Sequence, residues 1–246
     1  MRRLARRGSP ELCLAEGERA VRAAVGGGAT IRELYVAPEL VTRSELVEAA
    51  ERRGADVVEI PAAVFSTLAG GRPDGLLAVV ERPRTPLAAL APGAEPLVAV
   101  AVAIERPGNL GTIVRTACAV GAHALVVADP RTDLFHRDVV RGSVGAVFRL
   151  PCATASTSEA LAWLRELGIR VVATAPSAPT PYWGVEYTGA VAVVLGGERH
   201  GLPAAWLDAA DERVAIPMPG PVDSLNVAVA AGVVLCAAAS SRLGGA

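Results

Sequence analysis

The chain contains no lysine and no glutamine, and only two asparagines in 246 residues. Every fixed positive side-chain charge is therefore one of 24 arginines. A composition this rich in Ala, Arg, Gly, Val and Pro suggests a GC-rich genome, in which asparagine is costly to encode. Both retained carboxamides, Asn109 and Asn226, sit in glycine- and proline-rich stretches, which points to specific hydrogen bonding beyond ordinary turn formation. Aromatics make up only 4% of the chain, so the core must be packed from Ala, Val and Leu. Net charge is −1 with a pI near 6.3. That excludes a protein that coats nucleic acid through bulk charge, and any RNA site must be local. Arginine suits such a site, because its planar fork grips phosphate bidentately. The four cysteines and three histidines lack metal-ligand spacing, so no metal is expected. Free thiols fit a reducing cytoplasm. The arginine-rich start (Arg2, Arg3, Arg6, Arg7) is followed by no apolar segment, and the apolar stretch after Asn226 reads as a core helix; neither a signal peptide nor a membrane span is expected.

Hydrophobic periodicity divides the chain in two. Residues 1–87 alternate helix and strand: helices over Glu16–Val25, Arg43–Arg53 and Pro61–Leu68, strands over Ile31–Val36, Ala55–Ile60 and Gly75–Glu81. This predicts a small three-layer α/β domain. Residues 83–96 have linker composition, which places the boundary near residue 88. Within 88–246, strands are expected over Leu97–Ile104, Ala124–Ala128, Arg170–Ala175, Ala190–Leu195 and Asp211–Ile216. Helices are expected over Gly111–Val120, Ser158–Leu167 and Leu225–Ala239. The alternation predicts a mostly parallel sheet with helices on both faces, and ligands then bind beyond the carboxyl ends of the strands.

Three blocks follow in fixed order: Asn109-Leu110-Gly111 leading to Arg115; Val194-Leu195-Gly196-Gly197-Glu198 through Pro203; and Ile216-Pro217-Met218 leading to Ser224-Leu225-Asn226-Val227. Together they resemble the signature motifs of the SpoU/TrmH branch of SPOUT methyltransferases, over about Val98 to Leu243. The resemblance implies a trefoil-knotted methyltransferase domain that uses S-adenosylmethionine to methylate ribose 2′-hydroxyls of RNA. It implies, too, that the N-terminal module binds RNA, with Glu16-Gly17 as its opening and Arg19 on the substrate surface. It implies a homodimer through the C-terminal domain, each active site being completed from two chains.

By the same resemblance Thr174, Leu195, Gly196, Gly197, Ile216, Met218, Ser224 and Leu225 hold the cofactor. Arg115, Asn109, Glu198, Ser224 and Asn226 form the catalytic set. Arg115, expected in the first or second turn of a helix beginning at Asn109 or Leu110, contacts the reacting nucleotide. A guanidinium is too weak a base at neutral pH to abstract a proton readily, which favours phosphate positioning and charge stabilisation. Asn109 would hold the arginine's loop, and Glu198 would anchor loop geometry through backbone amides. Ser224 is a natural N-cap for the last helix. Many relatives carry a serine where this chain has Ala228. Residues 129–149 read as a further RNA surface around Arg131, Arg137 and Arg141, the alternative being a solvated charged face balanced by Asp133 and Asp138.

The favoured substrate is 23S rRNA, because a separate N-terminal module distinguishes this chain from minimal tRNA enzymes of the branch. A tRNA methyltransferase and a silent ribosome-assembly factor of the same fold are the alternatives. A dinucleotide-dependent dehydrogenase is disfavoured, since no strand is followed by G-x-G-x-x-G.

Overall fold

The computed structural model describes residues 9–41, 45–69 and 74–243, so Arg2, Arg3, Arg6, Arg7 and Arg43 lie outside the described residues. The chain forms two compact units. One comprises residues 1–84 together with 135–149, the other residues 85–134 and 150–246.

In the first unit the chain runs β1 (Leu12–Glu16), α1 (Glu18–Gly26), β2 (Ile31–Val36), α2 (Glu45–Arg52), β3 (Asp56–Glu59), α3 (Ala62–Leu68) and β4 (Leu76–Glu81). The sheet order is β1-β4-β2-β3, with β4 antiparallel to both neighbours and β2 parallel to β3. Leu77 and Val79 of β4, with Leu14 of β1, pack against Phe65 and Leu68 of α3. The two-residue repeat turns Leu76, Ala78 and Val80 to the opposite face, where they are also buried. β4 is thus covered on both sides, giving the expected three layers.

β1 is a strand that periodicity misses. Its Leu-Cys-Leu-Ala run carries no clear alternation, and pairing with β4, some sixty residues away in the chain, decides its conformation. The helix expected from Glu16 begins instead at Glu18, after Gly17 turns the chain at a φ of 89°.

The segment 135–149, part of the stretch 129–149 expected as an RNA surface, joins this unit. It holds α5 (Arg137–Gly142) and a 3-10 turn over Ala146–Phe148. Arg137 pairs with Glu16 at 2.9 Å and donates to the Leu68 carbonyl at 2.8 Å, so its guanidinium is engaged within the unit. Arg141 pairs with Asp138 at 2.7 Å. Close approach requires a glycine at position 27: a Cβ there would stand 1.9 Å from the Phe148 carbonyl oxygen. Gly27 has a φ of −83°, which any residue can adopt, so the requirement is purely steric.

The second unit runs β5 (Leu97–Val102), α4 (Pro107–Ala119), β6 (Ala124–Ala128), β7 (Cys152–Ala155), α6 (Thr157–Glu166), β8 (Arg170–Thr174), β9 (Thr180–Pro181), β10 (Val191–Leu195), α7 (Ala204–Asp208), β11 (Glu212–Ala215) and α8 (Val227–Leu243). All seven strands are parallel, in the order β7-β6-β5-β10-β8-β11-β9. β5, β6 and β10 are buried along their whole length, as continuous apolar runs covered on both faces must be. The strand β7, the two-residue β9 and the short helix α7 are additions to the elements expected from sequence periodicity. α6 is capped by Ser156 in a capping box with Glu159, and Asp129 at the carboxyl end of β6 ties down its first turn, accepting from the Thr157 amide at 2.9 Å and its hydroxyl at 2.6 Å. Among the described residues no helix is long and apolar enough to cross a membrane.

The Gly27–Phe148 contact can be tested directly. Gly27→Ala should destabilise the protein by about 2 kcal/mol or more, as overpacking against backbone does. The thermal midpoint by calorimetry should fall while the far-ultraviolet spectrum at low temperature stays native. An unchanged midpoint would mean that segment 135–149 does not rest on Gly27.

Candidate active site

β5, β10, β8 and β11 are consecutive in the sheet and parallel, so the loops leaving their carboxyl ends emerge side by side. They enclose a cavity of about 490 Å³. That is within the roughly 300–1,000 Å³ typical of small-molecule sites. All eight residues expected to hold a cofactor line it: Thr174 from β8, Leu195, Gly196 and Gly197 from β10 and its loop, Ile216 and Met218 after β11, and Ser224 and Leu225 before α8.

The local backbone explains why these loops close. After Leu195 the chain folds back on itself, and Gly197 and Gly201 form an isolated antiparallel bridge. A Cβ on Gly196 would lie 2.4 Å from the carbonyl carbon of Gly201, so only glycine lets the loop lie flat on its own return. Thr174 donates its hydroxyl to the Val194 carbonyl at 2.8 Å, tying β8 to β10 at the cavity floor. Ala103, just beyond β5, takes a left-handed φ of 52° and turns the chain toward α4.

Glu198 joins the second block to the first. Its carboxylate accepts from the Glu105 amide at 3.1 Å, the Arg106 amide at 3.2 Å and the Asn109 side-chain amide at 2.8 Å. Burial pushes the carboxyl pKa up, but these bonds to the charged form, with a further one from its own backbone, outweigh it and hold the value below the ordinary one. Each of these contacts is a donor from the Glu105–Asn109 segment, so the Glu198 carboxylate ties that segment to its own loop.

Asn109 then joins the first block to the third. Because its Nδ2 points at a carboxylate, its Oδ1 faces the other way and accepts from Asn226 Nδ2 at 3.2 Å. Asn226 Oδ1 accepts in turn from the Ala228 amide at 2.9 Å. The chain's only two asparagines are therefore bonded to each other, and with Glu198 they link all three sequence blocks.

Two expectations about helix ends are corrected. α8 begins at Val227, and its N-cap is Asn226, whose side chain takes the Ala228 amide; Ser224 lies two residues earlier, exposed on the cavity wall. The Ala228 contact is made by backbone, so it does not depend on a serine side chain there. α4 begins at Pro107, not at Asn109 or Leu110, because proline suits the first helical position. Arg115 is thereby the ninth residue of α4, in its third turn.

Arg115 is exposed and does not line the cavity of its own chain. It has no hydrogen bond or ion pair among the described residues. Arg131 in the same unit, and Arg19 on α1 of the first unit, are likewise exposed and unpaired among the described residues. Sequence reasoning did not single out Glu105, Arg106, Arg199 or Asp223, all of which line the cavity. Arg199 falls inside the second block, where its charge amid glycines was the available signal, and Arg106 lies three residues before the first.

The lining fits S-adenosylmethionine. Leu195, Ile216, Met218 and Leu225 offer apolar surface to an adenosine and a methionyl chain, and Glu105, Glu198 and Asp223 give the wall negative charge for a sulfonium.

Glu198 predicts a pH signature. Since its folded pKa is lowered, its contribution to stability is complete above the unfolded carboxylate value and is lost as pH falls through the folded value. Glu198→Gln should therefore be least stable relative to the unsubstituted chain at neutral pH. The gap in thermal midpoint should narrow below the ordinary carboxylate range, at about pH 4. A gap independent of pH would remove the charged form of Glu198 from the account.

Comparison with known proteins identifies the family. The SpoU rRNA Methylase family matches residues 96–236, and the family described as RNA 2′-O ribose methyltransferase substrate binding matches residues 14–86. The 23S rRNA (guanosine(2553)-2′-O)-methyltransferase RlmP of Bacillus subtilis is 30% identical over 90% of this chain and 86% of its own length. The 23S rRNA (guanosine-2′-O-)-methyltransferase RlmB of Xanthomonas campestris is 33% identical over 82% of this chain and 84% of its own. The AdoMet-bound rRNA methyltransferase structure from Sinorhizobium meliloti superimposes with a TM-score of 0.86 at 32% identity, covering 96% of this chain and 91% of that one. With its three blocks drawn together at one cavity and these relatives matched along nearly its whole length, the chain belongs to the SpoU family of S-adenosylmethionine-dependent RNA 2′-O-methyltransferases.

Proposed function

We propose that this chain methylates a ribose 2′-hydroxyl of 23S rRNA. The observation that carries the reading is the bonded chain Glu198–Asn109–Asn226 at the mouth of a cavity lined by all eight expected cofactor residues. When bound, S-adenosylmethionine supplies an electrophilic methyl group, so the protein's task is chiefly positioning. The glycine loop and the apolar wall hold the cofactor. Asn109 and Asn226 fix the start of α4 and of α8 relative to it. Arg115 orients the phosphate beside the reacting ribose and stabilises the oxyanion that forms as its hydroxyl proton leaves. The first unit binds the RNA, with Arg19 on its exposed surface. Relatives named as 23S rRNA enzymes align through that unit as well as the second, which supports ribosomal RNA over tRNA.

The active form is a homodimer built on α8 of the second unit, in the cytoplasm, with the trefoil knot of the family. Along α8, Val229, Val233, Cys236 and Leu243 recur at spacings of four, three and seven residues, the stripe of one helical face. Val229 is 53% and Leu243 80% exposed, so this face needs cover. α4 packs against α8 and carries Arg115 on its open side. A second copy would cover the stripe and bring its own Arg115 to a cavity that lacks one.

Arg115→Ala should reduce methyl transfer to 23S rRNA by on the order of 10² or more, the scale of a lost oxyanion ligand. Affinity for S-adenosylmethionine by titration calorimetry should stay within several-fold. Dimers that mix an Arg115→Ala chain with a Gly196→Val chain should regain one working site each, while either variant alone stays inactive. Full activity of Arg115→Ala, silence of the mixed dimers, or a monomer in light scattering at micromolar concentration would each contradict part of this reading.

A further inference from the structure

The cavity is lined by two guanidiniums, Arg106 and Arg199, and three carboxylates, Glu105, Glu198 and Asp223, a formal balance of −1. That sign suits a cationic methyl donor and repels an RNA backbone. A polyanion that must present its ribose here therefore needs a local cation at the rim. Arg199 is directed to Glu105, with Nε 3.4 Å from Oε2. Glu198 is taken by its three donors. Arg106 differs from both: its side chain is exposed, and it has no hydrogen bond or ion pair among the described residues.

Arg106 is also held at its base. Its amide donates to Glu198 Oε1 at 3.2 Å, it forms the N-cap of α4, and its carbonyl accepts from the Asn109 and Leu110 amides at 3.0 and 3.1 Å. The backbone is fixed by the same network that aligns the catalytic loops, while all five guanidinium donors stay available. A fork on a fixed base suits bidentate capture of an oxyanion. The Asp223 carboxylate, unpaired among the described residues, also lines the cavity and works against an anion, so the anion must be met at the Arg106 side of the rim.

We propose that Arg106 forms a phosphodiester-binding subsite at the cavity mouth and grips the RNA backbone beside the reacting ribose from the same chain that holds the cofactor. The proposal rests on the RNA methyltransferase reading and gives the site a second, differently placed phosphate ligand besides Arg115.

The test uses the full-length protein with Arg106→Ala and Arg106→Lys. Both keep the backbone amide that Glu198 accepts, so loop geometry survives. The probe is 23S rRNA transcribed in vitro, with binding measured by filter retention over a range of salt and methyl transfer by tritium incorporation. Arg106→Ala should weaken RNA binding and raise KM for RNA roughly tenfold or more, the loss expected for one charge-assisted contact. The slope of log K against log salt should become shallower by about 0.7–0.9, the signature of one phosphate contact removed. Arg106→Lys should restore the slope and part of the affinity. S-adenosylmethionine affinity should be unchanged. Loss of cofactor affinity with an unchanged salt slope would assign Arg106 to the cofactor carboxylate and overturn the proposal. No change in either would make it a solvated side chain and overturn it equally. A wild-type chain that neither binds nor methylates the transcript, while still binding the cofactor, would instead remove the rRNA reading on which the subsite rests.

Discussion

Three sequence blocks spread over more than a hundred residues meet through one carboxylate and two carboxamides. The order of the bonds is forced. Glu198 accepts only, so Asn109 must present its amide nitrogen to it; Asn109 then has an oxygen to offer, and Asn226 must present its nitrogen in turn. The remaining Asn226 oxygen caps α8. Each asparagine must both donate and accept here: an ionised aspartate cannot donate, and glutamine is one methylene longer. A composition that otherwise excludes carboxamides keeps two of them where a donor and an acceptor are needed on one short side chain.

The same network explains the charge arrangement. Glu198 draws the amides of Glu105 and Arg106 toward itself, and this sets the first turn of α4 against the cofactor loop. With that carboxylate committed to anchoring, Arg106 at the start of α4 and Arg115 on its open face are left exposed and without an acidic partner among the described residues, which is what the proposed RNA reading uses. In that proposal the RNA is met by a few placed arginines, in keeping with a net charge of −1.

The motifs, the parallel sheet and the cofactor loops were legible because their signals are local: apolar runs of strand length, glycines at loop bends and carboxamides in an otherwise carboxamide-free chain. What the sequence concealed depends on distant partners. β1 is a strand because β4 lies beside it, and segment 135–149 joins the first unit because Glu16 and the Leu68 carbonyl hold Arg137 there. Helix starts were misjudged where two good caps compete, as Ser224 and Asn226 do; the tertiary bond from Asn226 to Asn109 favours the second. The absence of Arg115 from its own cavity could not be read from spacing, since it depends on where α4 begins and which face it exposes.

The claim that the asparagine pair couples the two helix starts is tested most directly by a double-mutant cycle. Asn109→Ala, Asn226→Ala and the double variant would be compared by S-adenosylmethionine affinity in titration calorimetry. The account predicts a coupling of about 1 kcal/mol, with the second substitution costing much less once the first is made. Additive losses would contradict it, because the two side chains would then act on the site independently.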